Sequence, residues 1–178
     1  MKRIKAATGG KILLTLILLS AFLVRIYKAA HHLDGGLFFE EPAYLRLVLT
    51  GFKDSPTPFI YGPFYIFCLD IINKIYFLFG LLAGDFKVFS DLIDAFSADY
   101  SINFARLLLI HRTVVALMGT ATVGVLYLIA KKLFNVSAGL IAALFLAVSP
   151  LHVALSFEVR PDVMHTLFIC LAFLYICK

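Results

Sequence analysis

FYIFCLDIINKIYFLFGLL, residues 64 to 82, is as long as a membrane span yet carries an Asp, an Asn and a Lys near its centre. A helix that crosses a bilayer needs about 20 predominantly apolar residues. Asp70 and Lys74 stand four apart with the acid first, the favourable order on a helix face, and Asn73 sits beside them. A polar stripe on an aromatic-rich helix suits one lying in the membrane interface better than one crossing the bilayer. The choice sets the side of everything downstream. If 64–82 crosses, Lys131 and Lys132 fall outside and Glu158–Asp162 inside. If it lies flat, both positions obey the positive-inside rule. The flat reading is therefore preferred.

The rest of the chain supports a membrane setting. Its 178 residues are 62% hydrophobic with a mean hydropathy of +0.96, against about 45–50% apolar in soluble domains. A chain of this length could not hide so much apolar surface in one core. The charges are sorted along it. All eleven acids lie between Asp34 and Asp99 or between Glu158 and Asp162. Lys2, Arg3, Lys5 and Lys11 open the chain without an acid, and Lys131 and Lys132 also stand apart from any acid. The basic sites read as cytoplasmic and the acidic windows as external. The bases form no stripe interleaved with aromatics, so nucleic acid is not the expected partner. Cys68, Cys170 and Cys177 follow no disulfide or metal spacing and read as small apolar fillers.

On this topology the spans fall at about 11–30, 113–130, 138–155 and 162–178, with an external loop over about 31–101. Interfacial helices are expected at about 42–51 and 64–82, and the whole reads as one all-α integral membrane module. The first apolar run, Ile12 to Val24, is short enough to raise a secretory signal peptide, but no A-x-A-type cleavage site follows it. A retained helix is preferred, with Arg25 and Lys28 snorkelling at its outer end. Asn135-Val136-Ser137 matches a glycosylation sequon in a turn read as cytoplasmic, where it would stay unmodified. The last span stops early at Lys178, as if the chain were the front end of something longer. The N-terminus is expected in the cytoplasm and the plasma membrane is the expected location.

Two acidic sites then share one membrane face, Glu40 and Glu41 after the first span and Glu158 with Asp162 after the third. Carboxylates next to lipid are costly and call for a reason. A general base taking a proton from an acceptor hydroxyl or amine is one. Arg25, Arg112 and Arg160 lie on the same face, and guanidinium forks bind phosphate bidentately. The plainer readings are solvated loop acids, an ion-pair cluster at 158–162 and arginines acting as interfacial anchors. His31 and His32 read as a polar helix end, His111, His152 and His165 are too scattered for a metal site, and no HExxH or Gly-rich phosphate loop occurs.

The order LVRIY, FFEEPAYLRLVLTG, FIYGPFYIF, HRTVVALMGTATVGVLYLIAKKLF and AGLIAALFLAVSPLHVALSFEVRPD resembles the N-terminal module of the polyprenol-phosphate-dependent membrane glycosyltransferases. These include the protein O-mannosyltransferases and the lipid A aminoarabinose transferases. The resemblance implies a multi-span helical bundle of the GT-C type with juxtamembrane helices in a long first external loop. It implies a sugar donor linked to polyprenyl or dolichyl phosphate, and an acceptor lipid, glycan or protein. In that family an Asp-Glu pair follows the first span and its first acid is the base, which maps onto Glu40, with Glu41 second. The family arginine ahead of a Gly-Thr pair maps onto Arg112, before Gly119 and Thr120. The acid after the third span maps onto Asp162, and Arg25 maps onto an arginine near the end of the first span. Glu40 departs from the usual aspartate, and the family's members are several times longer. No cofactor is implied, and a divalent-metal requirement stays open. Two other classes are a transporter component and a non-catalytic scaffold. A transporter predicts ionisable groups inside the spans, yet Thr113–Ala130 has none and Ala138–Leu155 only His152.

Overall fold

The computed structural model describes residues 2–31, 41–50, 63–97 and 102–177. Every regular element among them is helical: α1 (Lys2–His31), α2 (Glu41–Thr50), α3 (Pro63–Ala83), α4 (Phe89–Ser97), α5 (Ile102–Leu133), α6 (Val136–Val148), α7 (Pro150–Leu155) and α8 (Asp162–Ile176). This is an all-α membrane architecture. By length and composition, α1 from Gly9, α3, and α5 from Ala105 can each cross a bilayer. The sequence reads as one module, whereas the described contacts divide the chain into two compact units.

The first unit comprises residues 1–29, 113–158 and 162–178. Ile17 and Ala21 of α1, Val123 and Tyr127 of α5, and Ala143 and Ala147 of α6 form its buried core. Small residues let these helices approach closely, as membrane helix pairs commonly do. A methyl group added at Gly139 would sit 2.9 Å from the Tyr127 carbonyl oxygen, so α6 crosses α5 there in near backbone contact. The turn between them is set locally. Asn135 caps α6, its side-chain oxygen accepting from the Ala138 N–H at 2.9 Å, as an N-cap residue should. That gives the sequon asparagine a structural task. Pro150 then ends the apolar run in two pieces: it cannot continue α6, but its fixed φ suits the first turn of α7.

Gly119 has a similar role. A β-carbon there would lie 2.7 Å from Ser156 Cβ, closer still to Ser156 Oγ, and 3.1 Å from Arg25 Nε. Gly119→Ala is expected to destabilise the protein by about 1–3 kcal/mol through overpacking, read as a lower midpoint in thermal or denaturant unfolding. An unchanged midpoint would contradict this packing.

The second unit comprises residues 30–112 and 159–161. Leu49 of α2, Phe86, Leu92 of α4 and Leu107 of α5 form its core, with Tyr76, Phe77 and Phe89 packed against them. Tyr44 and Tyr65 meet edge to face, with centroids 5.7 Å apart. α3 ends in a Schellman motif: Gly84 at φ +84° donates to Leu81 O at 3.3 Å, and Asp85 N donates to Gly80 O at 2.8 Å. Glycine takes this left-handed position without steric cost. α4 starts where the Asp91 carboxylate accepts from the Val88 and Lys87 amides, at 3.0 and 2.7 Å. Those bonds hold Asp91 below the ordinary carboxylate range.

The polar residues of α3 do not form one stripe. Lys74 and Asp70 pair at 2.6 Å with side chains 65% and 26% exposed, but Asn73 is 1% exposed and faces the interior. The outer face of α3 carries Phe64, Phe67, Ile71, Ile75, Leu78 and Leu82, a surface for lipid around one surface ion pair. Alternation of large apolar groups every three or four residues produces that face, and it leaves Asn73 on the opposite side.

Candidate functional site

Among the described residues of the second unit, a buried polar group is built around Glu41. Glu41, the first residue of α2, and Arg112 of α5 are both fully buried. Arg112 Nε donates to Glu41 Oε1 at 3.0 Å and Nη2 donates to Oε2 at 2.7 Å, the bidentate arrangement that suits a guanidinium and a carboxylate. The Val159 backbone N–H donates to Oε1 at 2.9 Å. One carboxylate therefore ties the start of α2 to α5 and to the 159–161 segment. A buried charge is tolerable only when it is paired and its remaining acceptor sites are filled, and here both conditions hold.

His111, beside Arg112 in sequence, is also fully buried. Its Nδ1 lies 2.9 Å from Leu107 O. A carbonyl only accepts, so Nδ1 carries the proton. The opposite nitrogen, Nε2, has no hydrogen-bond partner among the described residues.

The first unit holds a second buried cation. Arg25 is fully buried. Its Nη1 donates to Ala21 O at 2.8 Å and to Ala147 O at 3.4 Å, and its Nη2 lies 2.7 Å from His152 Nδ1. A guanidinium only donates, so Nδ1 of His152 is the acceptor and its proton sits on Nε2. Among the described residues, Arg25 Nε and His152 Nε2 have no partner, and no carboxylate pairs with Arg25. Ser156 Oγ donates to His152 O in the next turn. Beside this cluster runs a groove of about 510 Å³, walled by Val24, Ala147, Val148, Val153, Ala154 and Phe157, with Lys28 on its rim.

The positions singled out in the sequence are thus distributed unevenly. Glu41 and Arg112 come together, while Arg25 is engaged by carbonyls and His152. Asp162, half-buried, opens α8, where a carboxylate is favoured by the helix dipole. Arg160 is half-buried in the 159–161 segment. Glu40 lies outside the described residues. No cluster of three or more His, Cys, Asp or Glu side chains suited to a metal occurs among the described residues. Sequence reasoning missed the Arg25–His152 contact and the Val159 amide on Glu41. Its one available hint was a lone histidine in an otherwise uncharged run, and nothing in the sequence marked a backbone amide.

Residues 105–178 match the family model for dolichyl-phosphate-mannose-protein mannosyltransferases. No curated protein and no solved structure matches the chain. The mannosyltransferase match runs over most of α5 and all of α6 to α8. It includes Arg112, Arg160 and Asp162, and it stops short of Arg25, Glu40 and Glu41. It supports a membrane glycosyltransferase of the GT-C type, and the three long apolar helices agree with a membrane protein.

Proposed function

We propose that this chain is the front part of a membrane glycosyltransferase that moves a sugar from a polyprenyl-phosphate-linked donor to an acceptor lipid, glycan or protein. The mannosyltransferase match over residues 105–178 carries this reading. The N-terminus lies in the cytoplasm, α3 lies along the interface, and transfer occurs on the external face of the plasma membrane. Sorted charge along the sequence supports that orientation.

The chemistry is a displacement at the anomeric carbon. The acceptor oxygen forms the new bond to that carbon while its bond to the phosphate oxygen breaks. The acceptor proton passes to a carboxylate base, and polyprenyl phosphate leaves as an anion that needs no proton. Glu40 is the proposed base. Glu41 is a positioning residue: locked by Arg112 and Val159, it fixes the backbone immediately next to Glu40. Asp162 shapes the acceptor side.

Three arginines are candidates for the lipid phosphate, and their surroundings differ. Arg25 and Arg112 are buried and engaged, so they act by holding the helices that present the phosphate site. Arg160 is a candidate from its place beside Asp162 in the sequence, and Lys28, on the rim of the groove, is a separate one. The groove beside Lys28 has apolar walls and a cation at its rim, matching a polyprenyl chain with a phosphate at one end.

Lys28→Gln is expected to cut labelling by a photoreactive short-chain polyprenyl phosphate about tenfold, the scale of one charge-assisted hydrogen bond. In the unsubstituted chain the label should map to residues 147–157. Equal labelling of the variant, or label placed elsewhere, would contradict this use of the groove.

A further inference from the structure

At the opposite end of the first unit, α5 finishes with Lys131 and Lys132. Both are exposed, and Lys131 Nζ stands 5.6 Å from the centre of the Tyr127 ring. A groove of about 430 Å³ lies here, lined by Leu128, Lys131, Lys132 and Leu174. The basic start of α1 belongs to the same end: a methyl group on Gly10 would lie 3.3 Å from the Val136 side chain, just past the α5–α6 turn. Lys2, Arg3, Lys5 and Lys11 precede or adjoin that contact in sequence, and no Asp or Glu occurs in residues 1–33 or 100–157. The start of α1 and the α5–α6 turn thus carry no acid of their own, and the one acid of α8, Asp162, stands at its other end.

Lysines in the last turn of a helix are favoured by the helix dipole alone, and that effect accounts for their position. It does not account for the groove, whose two leucines form apolar walls directly beside two cations. An apolar wall with cations at one end is complementary to an anionic phospholipid, whose acyl chain and phosphate are joined in that order. Basic pockets between membrane helices recognise such headgroups.

We propose that the groove between the ends of α5 and α8 binds an anionic phospholipid, with an acyl chain along Leu128 and Leu174 and the phosphate on Lys131 and Lys132. The site is independent of sugar transfer and lies at the end of the unit away from Lys28.

The test is native mass spectrometry of the full chain in neutral detergent, titrated with phosphatidylglycerol or phosphatidylcholine of the same acyl chains. Phosphatidylglycerol should be retained about tenfold more strongly, from the attraction of two lysines at a membrane surface. The double variant K131Q/K132Q should lose that preference while keeping its helical circular dichroism, and K74Q should keep it. Free glycerol 3-phosphate at equal concentration should leave the lipid in place, because it lacks the chain that the leucines hold. Equal retention of the two lipids by the unsubstituted chain would overturn the proposal, as would a preference that survives in K131Q/K132Q. Loss of the preference in K74Q would show diffuse charge attraction instead of a site. Displacement by glycerol 3-phosphate would show a free-phosphate site instead of a lipid one.

Discussion

Glu41→Ala should lower the unfolding free energy by about 3–5 kcal/mol, the cost of breaking a buried ion pair from one side. The substitution leaves the Arg112 guanidinium fully buried without its carboxylate and removes the acceptor of the Val159 amide. Both losses act together, because a buried charge and a buried N–H each keep their desolvation cost when the partner goes. Glu41→Gln should cost less, since an amide oxygen in the place of Oε1 can still accept two of the three bonds, those from Arg112 Nε and the Val159 N–H. The double variant Glu41→Met with Arg112→Met should cost less than the two single changes added, as residues sharing one network couple strongly. Unfolding in a mixed-micelle denaturant titration is the measurement. A Glu41→Ala variant within about 0.5 kcal/mol of the parent, the range of ordinary surface substitutions, would show that the pair does not hold this unit together.

Such a pair separates two meanings of the same sequence motif. Two neighbouring acids after a first span read as a catalytic pair by resemblance. Glu41 is consumed by structure, with three hydrogen bonds and no exposure, so it cannot also collect a proton from an acceptor without releasing Arg112. Base chemistry is therefore proposed for Glu40 alone.

Much of the fold was legible because it follows from local rules. Long apolar runs free of proline gave the helices, and the acid-free stretch around Lys131 and Lys132 marked the α5–α6 turn; the span expected at about 138–155 is broken by Pro150 into α6 and α7. The face of each residue was less legible. Asn73 read as part of a polar stripe with Asp70 and Lys74, but its neighbours Leu69 and Ile66 are buried on the same side, and it goes inward with them. Pairings distant in sequence were not legible at all. Arg25 meets His152 across 127 positions and Glu41 meets Arg112 across 71. Periodicity tells which side of its own helix a residue occupies, but it carries no information on which helix comes to cover that side. Arg25 and Arg112 thus read as snorkelling or phosphate-binding groups, and the structure adds what the sequence withheld: Arg112 is held by a carboxylate, and Arg25 by two carbonyls and His152.

Glu40→Gln should reduce sugar transfer by about 10²–10⁴-fold, the usual contribution of a positioned general base. The amide is nearly isosteric with the carboxylate but cannot take the acceptor proton. Donor binding should be unchanged, because no phosphate contact is assigned to Glu40, so the loss should fall on turnover and not on the donor concentration at half-saturation. Glu41→Gln should behave differently, with loss of stability accompanying any loss of rate. The most direct measurement is single-turnover transfer from a labelled polyprenyl-phosphate sugar, comparing Glu40→Gln with the parent in the native membrane. Transfer slowed at least about a hundredfold with donor retained and unfolding unaltered is the expected result. Parental transfer by the Glu40→Gln protein would contradict the account at its centre.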